Sequence, residues 1–123
     1  MTIHEIIKAR RSVRAYRDTP VPDELLQRLL EAARWAPSAM NRQPWKLVVV
    51  RDPVRRRRLA EAACEQMFIA EAPVVLAAVA LDPARVFTCD VPGYPVDVTI
   101  AIDHLALAAV GAGGPICLVF APR

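Results

Sequence analysis

Residues Asp97 to Val110 place the tightest limit on how this chain can fold. They read as a helix in which Val98, Ile102, Leu105 and Ala109 line one face, while Ile100, Ala101, Leu107 and Ala108 cover the others. A helix that is apolar nearly all round must be buried on most sides. The chain has 123 residues, which allows a single domain, 1–123. One sheet in a domain of that size cannot cover such a helix, so a second subunit is its natural cover. Hydrophobic residues make up 54% and charged residues 24%, enough for a core and unlike a disordered chain.

Local signals place the other elements. Thr2-Ile3-His4-Glu5 reads as a capping box opening a short helix, with Ile3, Ile6 and Ile7 on one side and a stop near Arg10. Thr19 to Pro22 is extended, because residues before proline avoid the helical region. Pro22-Asp23-Glu24 opens a second helix with a stripe of Leu25, Leu26, Leu29, Leu30 and Ala33, ending before Pro37. Lys46 to Arg51 is a strand by its β-branched content. Asp52 caps a third helix, with Pro53 in its first position, running to about Met67. Val74 to Ala80 is a strand buried on both faces, and 82–95 is a loop. Gly111 to Pro115 breaks the central helix before a third strand, Ile116 to Phe120. The order is ααβαβαβ, an α+β fold.

Two segments carry chemistry. In Arg10-Arg11-Ser12-Val13-Arg14, three guanidiniums and a hydroxyl make a seat for a phosphate dianion. In Ala36 to Trp45, Asn41 and Gln43 each offer a donor and an acceptor, suited to the edge of a planar heterocycle. Together they fit a phosphorylated heterocyclic cofactor. The bland alternatives are cations decorating a helix C-terminus, and Ser38 and Asn41 capping local backbone, with Trp45 in the core.

Over roughly residues 2–113 the chain resembles the nitroreductase family of FMN-dependent NAD(P)H oxidoreductases. The resemblance rests on Arg-Arg-Ser-Val-Arg, Ala-Pro-Ser-x-x-Asn-x-Gln-Pro-Trp, Phe68 to Val75 and Tyr94 to Ala109, in that order. It implies a nitroreductase-like fold, with a central sheet flanked by helices, and a homodimer holding FMN. It further implies NAD(P)H as donor and a nitroaromatic, quinone or similar small-molecule acceptor. Arg10, Arg11, Ser12 and Arg14 would meet the phosphate and ribityl chain. Pro37, Ser38, Ala39 and Asn41 would contact flavin across the dimer, with Gln43 beside them. Gln66 would lie near the pyrimidine end and Gly113 in the turn approaching flavin N5. No catalytic side-chain acid or base is implied, since the chemistry belongs to the cofactor.

The resemblance weakens at the end. Gly113-Gly114-Pro115-Ile116 stands where the family carries a Gly-x-Gly-Thr-like turn, and Pro115 has no N–H to offer. The family continues beyond the point where this chain stops, so the C-terminal part reads as missing. Two alternatives follow: a catalytically inactive flavin-binding remnant, and a basic nucleic-acid-interaction module suggested by a net charge of +3. Against the second, Arg55 to Arg58 would point around a helix circumference as a solvated turn rather than one patch.

Other chemistries lack support. Cys64, Cys89 and Cys117 form no C-x-x-C pair, so no metal site is expected, and free thiols suit a reducing compartment. Met1 to Glu5 is no signal peptide, and no apolar run of about 18 residues is apparent. A cytoplasmic protein without membrane or nucleic-acid partners is expected. His104 follows Asp103 on the helix, where adjacent side chains diverge by about 100° and form no dyad. Ser12 and Ser38 have no histidine nearby for a triad. Gly111-Ala112-Gly113-Gly114 follows a helix, unlike a dinucleotide-binding turn.

Overall fold

Thr2 starts the first helix, α1 (Ile3–Ala9), in the way its sequence demands. Its hydroxyl accepts from the Glu5 N–H at 3.3 Å, and the Glu5 carboxylate accepts from the Thr2 N–H at 2.6 Å. The computed structural model describes residues 1–114 and the backbone of 117–122. After α1 the chain runs without regular structure to α2 (Asp23–Arg34), which buries Leu26, Leu29 and Ala33. Strand β1 (Trp45–Val50) leads into α3 (Pro53–Ala62), whose cap Asp52 accepts from the Arg55 N–H at 2.9 Å. A short α4 (Phe68–Glu71), β2 (Val75–Ala80), α5 (Gly93–Gly111) and β3 (Cys117–Pro122) complete the described order.

The strands form one sheet with β2 in the middle. β1 runs antiparallel to β2, with Trp45 opposite Ala80 and Val50 opposite Val75. β3 runs parallel to β2, with Cys117 beside Val75 and Pro122 beside Ala80. A parallel neighbour needs a long crossover, and α5 supplies it. Val74 and Leu76 pack with Leu26, Leu29 and Leu105, so α2 and α5 cover one face. Val75 turns the other way and packs with Val50, Ala60 and Ile69 beneath α3 and α4. Coverage on both faces explains why β2 is apolar throughout.

Four expectations need correction. The central helix starts at Gly93 rather than Asp97, because Pro95 sits in its first turn, where a missing N–H breaks no helical bond. At 19 residues it is, by length and composition, long and apolar enough to cross a membrane, which the shorter helix read from the sequence was not. In this fold it is a packing element, burying Val98, Ala101, Leu105 and Ala109, while Ile100, Ile102, Leu107 and Val110 stay half-buried. The third helix ends at Ala62 instead of about Met67. Cys64 and Glu65 take left-handed backbone at φ 60° and 59°, the Gln66 N–H returns to the Ala60 carbonyl, and α4 begins afresh. Finally, Arg56 is not solvated like its neighbours: it is half-buried, and its Nη1 donates to the carbonyls of Ala70 and Ala72. The third strand is seen from Cys117, and Pro115 and Ile116 lie outside the described residues.

Candidate functional site

The arginine-rich segment leaves α1 at its C-cap. Arg10 donates its backbone N–H to Ile6 O, and Arg11 curls back so that Nη1 donates to Lys8 O at 2.6 Å and Arg10 O at 2.9 Å. Arg11 therefore serves the open carbonyls of the helix end, as a cation there should. Arg10, Ser12 and Arg14 are exposed, and their side chains make no hydrogen bond or ion pair among the described residues. By contrast, Arg34, Arg51 and Arg57 have carboxylates at 2.6, 2.7 and 3.2 Å. The segment is pinned further on: Tyr16 donates its hydroxyl to Val13 O at 2.9 Å and packs against the cluster containing Val50 and Val75.

The second segment is a tightly folded loop before β1. Ser38 Oγ accepts from the Gln43 N–H at 2.9 Å, and Ser38 O accepts from the Asn41 N–H at 2.9 Å. A single 3-10 turn, Ala39–Asn41, lies between them. Met40, Asn41 and Gln43 all take left-handed backbone, at φ 56°, 53° and 52°, a conformation disfavoured outside glycine. The Ala39 N–H donates to Asp97 Oδ1 at 3.2 Å, and Leu81 N–H donates to Pro44 O at 3.0 Å. Pro37 is exposed and Ala39 half-buried. Asn41 and Gln43 are exposed, and their side-chain amides have no partner among the described residues.

Gln66 stands in the α3–α4 turn and donates its side-chain amide to Ala63 O at 2.7 Å. Gly113 follows the end of α5 at φ 86°; its N–H donates to Val110 O and the Gly114 N–H to Ala109 O, the pair of bonds that closes a helix on a left-handed glycine. The replacement of the family-like turn at Pro115 lies outside the described residues.

The structure does not bring all these residues to one place. Tyr16 and the start of β3 lie at the Val50–Val75 end of the sheet. The loop from Pro37 to Pro44 feeds β1 at the opposite, Trp45–Ala80 end. Five residue steps along the strand separate the two ends, about 17 Å. Ser38 and Arg11 have internal duties, while Arg10, Ser12, Arg14, Asn41 and Gln43 remain open to a ligand.

From the sequence, Asp97 reads only as the start of the central helix. It is 3% exposed, and it is the one buried charged or polar residue among those described. The signal was present: a lone acid on the same stripe as Val98, Ala101, Leu105 and Ala109. Elsewhere, His104 is exposed, with Nδ1 3.1 Å from Ile100 O, and takes no part in a site. No group of three or more potential metal ligands occurs among the described residues. Arg55 and Arg58 flank a surface groove of about 410 Å³ floored by Val50 and Leu59.

Comparison with known proteins covers the same stretch. A protein of Thermus thermophilus named NADH dehydrogenase is 61% identical over 67 residues, 54% of this chain and 33% of that protein. A Bacillus subtilis protein named FMN reductase (NAD(P)H) is 33% identical over 115 residues, 90% of this chain and 46% of that protein. This chain thus spans less than half the length of either relative. A crystal structure of a nitroreductase family protein from Clostridium novyi NT matches with a TM-score of 0.83 at 27% identity, over 92% of this chain and 67% of that one. The family model for nitroreductases matches residues 7–121, from within α1 to β3 and across both candidate segments. On that match, the chain belongs to the nitroreductase family.

Proposed function

We propose that this chain supplies the cofactor-holding part of an FMN-dependent oxidoreductase. In this reading it draws reducing equivalents from NAD(P)H and passes them to a small acceptor such as a nitroaromatic or quinone. One observation carries it: Arg10, Ser12 and Arg14 stand exposed within one five-residue segment, and neither guanidinium has a carboxylate partner among the described residues. Unpaired guanidiniums beside the Ser12 hydroxyl fit a phosphate dianion. The free amides of Asn41 and Gln43 fit the edge of a flavin ring. The names of the Bacillus relative and of the family point to the same cofactor.

FMN, when bound, supplies the acceptance of hydride and its onward delivery. The chain's own residues bind and orient. Arg10, Ser12 and Arg14 hold the phosphate end, and the braced loop from Pro37 to Gln43 presents the ring edge. Because these parts sit at opposite ends of one sheet, a homodimer that faces one protomer's loop toward its partner's arginine segment completes the site. The half-covered side of α5 and the exposed Ile3 and Ile7 of α1 supply apolar surface for that pairing. A reducing, cytoplasmic setting accords with Cys64 and Cys89 as exposed free thiols.

The test is the visible spectrum of the purified chain, followed by FMN titration and addition of NAD(P)H. Flavin bands that bleach with NAD(P)H support the oxidoreductase. Bound flavin that does not bleach overturns the activity and leaves a binding protein. No flavin binding at all overturns the reading.

A further inference from the structure

We propose that Asp97 is the positioning residue of the cofactor loop. Its side-chain oxygen, fixed inside the fold on α5, holds the Ala39 N–H and thereby the backbone pose from which Asn41 and Gln43 face a ligand. The proposal rests on the flavin reading for the identity of that ligand; the anchoring itself does not depend on it.

The placement of Asp97 is otherwise unexplained. A polar group buried at 3% exposure is costly unless a hydrogen bond compensates. Here the partner is neither on the same helix nor a side chain, but a backbone amide 58 residues away in sequence. The loop needs such a brace. Its internal bonds, Ser38 Oγ to the Gln43 N–H and Ser38 O to the Asn41 N–H, close the turn upon itself without fixing it to the sheet. Three non-glycine residues in left-handed backbone persist only where the surroundings hold them. Asp97 on one side and the Leu81–Pro44 bond on the other provide that hold. α5 is also the helix that Gly113 closes, so one rigid rod of about 21 Å between Asp97 and Gly111 spaces the loop from the opposite end of the sheet.

The role predicts a difference between two substitutions. Asp97→Asn keeps an oxygen acceptor at the same reach; Asp97→Ala removes it. FMN affinity, amide hydrogen exchange at Ala39 and Gln43, and thermal midpoint are measured on the wild-type chain and both variants. Asp97→Ala is expected to weaken FMN binding by about 3–10-fold, the value of one lost hydrogen bond, and to speed exchange at both amides. Asp97→Asn is expected to restore both. If Asp97→Ala does not fold, Asp97→Leu fills the volume without an acceptor and takes its place. A variant lacking the acceptor that melts earlier yet keeps wild-type FMN affinity and wild-type exchange at Ala39 overturns the proposal, leaving Asp97 a packing residue. So does an Asn variant as impaired as the Ala one. If the wild-type chain takes no FMN, the flavin reading fails by itself, and exchange at Ala39 and Gln43 still decides the role of Asp97.

Discussion

Replacing Arg56 by alanine will destabilise the chain far more than replacing Arg58, although both belong to one unbroken run of four arginines. Arg56 Nη1 donates to the carbonyls of Ala70 and Ala72 at the end of α4, which the four-residue helix leaves without partners of its own. A hydrogen bond from a charged donor contributes about 1.5–3 kcal/mol, so two amount to about 3–6 kcal/mol. Against this, the Arg56 Nε is buried without a partner among the described residues, and its removal relieves about 1–3 kcal/mol. Setting the midpoints of these two ranges against each other leaves a net loss of about 2.5 kcal/mol. Arg57→Ala removes only an exposed ion pair with Glu61, about 0.3–0.5 kcal/mol. Arg58→Ala, with no ion pair among the described residues, stays within about 0.5 kcal/mol. Arg56→Lys recovers part of the loss, since its ammonium, like Nη1, is a single nitrogen able to donate to both carbonyls. Urea unfolding of the four variants, compared by midpoint at constant slope, reads these differences. Equal midpoints for Arg56→Ala and Arg58→Ala would refute the bracing role assigned to Arg56.

Arg10→Ala should weaken FMN by about tenfold or more while leaving riboflavin nearly unchanged, measured by parallel flavin titrations; equal losses for the two would remove Arg10 from the phosphate. Gly93→Ala should cost about 1–2 kcal/mol in urea unfolding, because a Cβ there would stand 2.8 Å from the Phe87 ring; the cost should shrink in a Phe87→Leu background, and an unchanged cost would mean another source. Glu5 accepts first from the Thr2 N–H and then from the Thr2 hydroxyl, which holds its carboxyl below the ordinary range. That stabilisation is present above the unfolded pKa and is lost as pH falls through the folded one, so the start of α1 should fray only under acid. Carboxyl NMR titration of Glu5 in the wild type and in Thr2→Ala checks this; identical curves would count against the capping box.

The legible parts of the fold were those written in short-range chemistry. Thr2 with Glu5, and Asp52 with Pro53, announce helix starts through bonds three residues long. The unbroken apolar run of β2 announces a strand with both faces covered. The α3–α4 break was illegible because Cys64 and Glu65 enter left-handed backbone without a glycine or proline to mark it. The early start of α5 was masked by Pro95, which reads as a breaker yet is harmless in a first turn. At the site, the residue types could be named, but their duties could not. That Arg11 and Ser38 serve local backbone while Arg10 and Asn41 stay open depends on where α1 ends and how the loop coils. The link from Ala39 to Asp97 joins distant parts of the chain and has no local signature.

The position of β2 between a strand made earlier and one made later has a consequence for synthesis. Residues 81–116 separate the end of β2 from the start of β3, and the whole of α5 lies among them. At about 5–20 residues per second, a ribosome needs about 2–7 s to supply them. Throughout that interval β1 and β2 can pair, but the far edge of β2 carries open N–H and C=O groups, and Leu26 and Leu29 lack the helix that seals them. An open strand edge beside uncovered leucines invites pairing with another nascent chain. The most aggregation-prone form of this protein is therefore the half-made one, and co-translational chaperone capture should peak after Ala80 emerges and fall once α5 has docked.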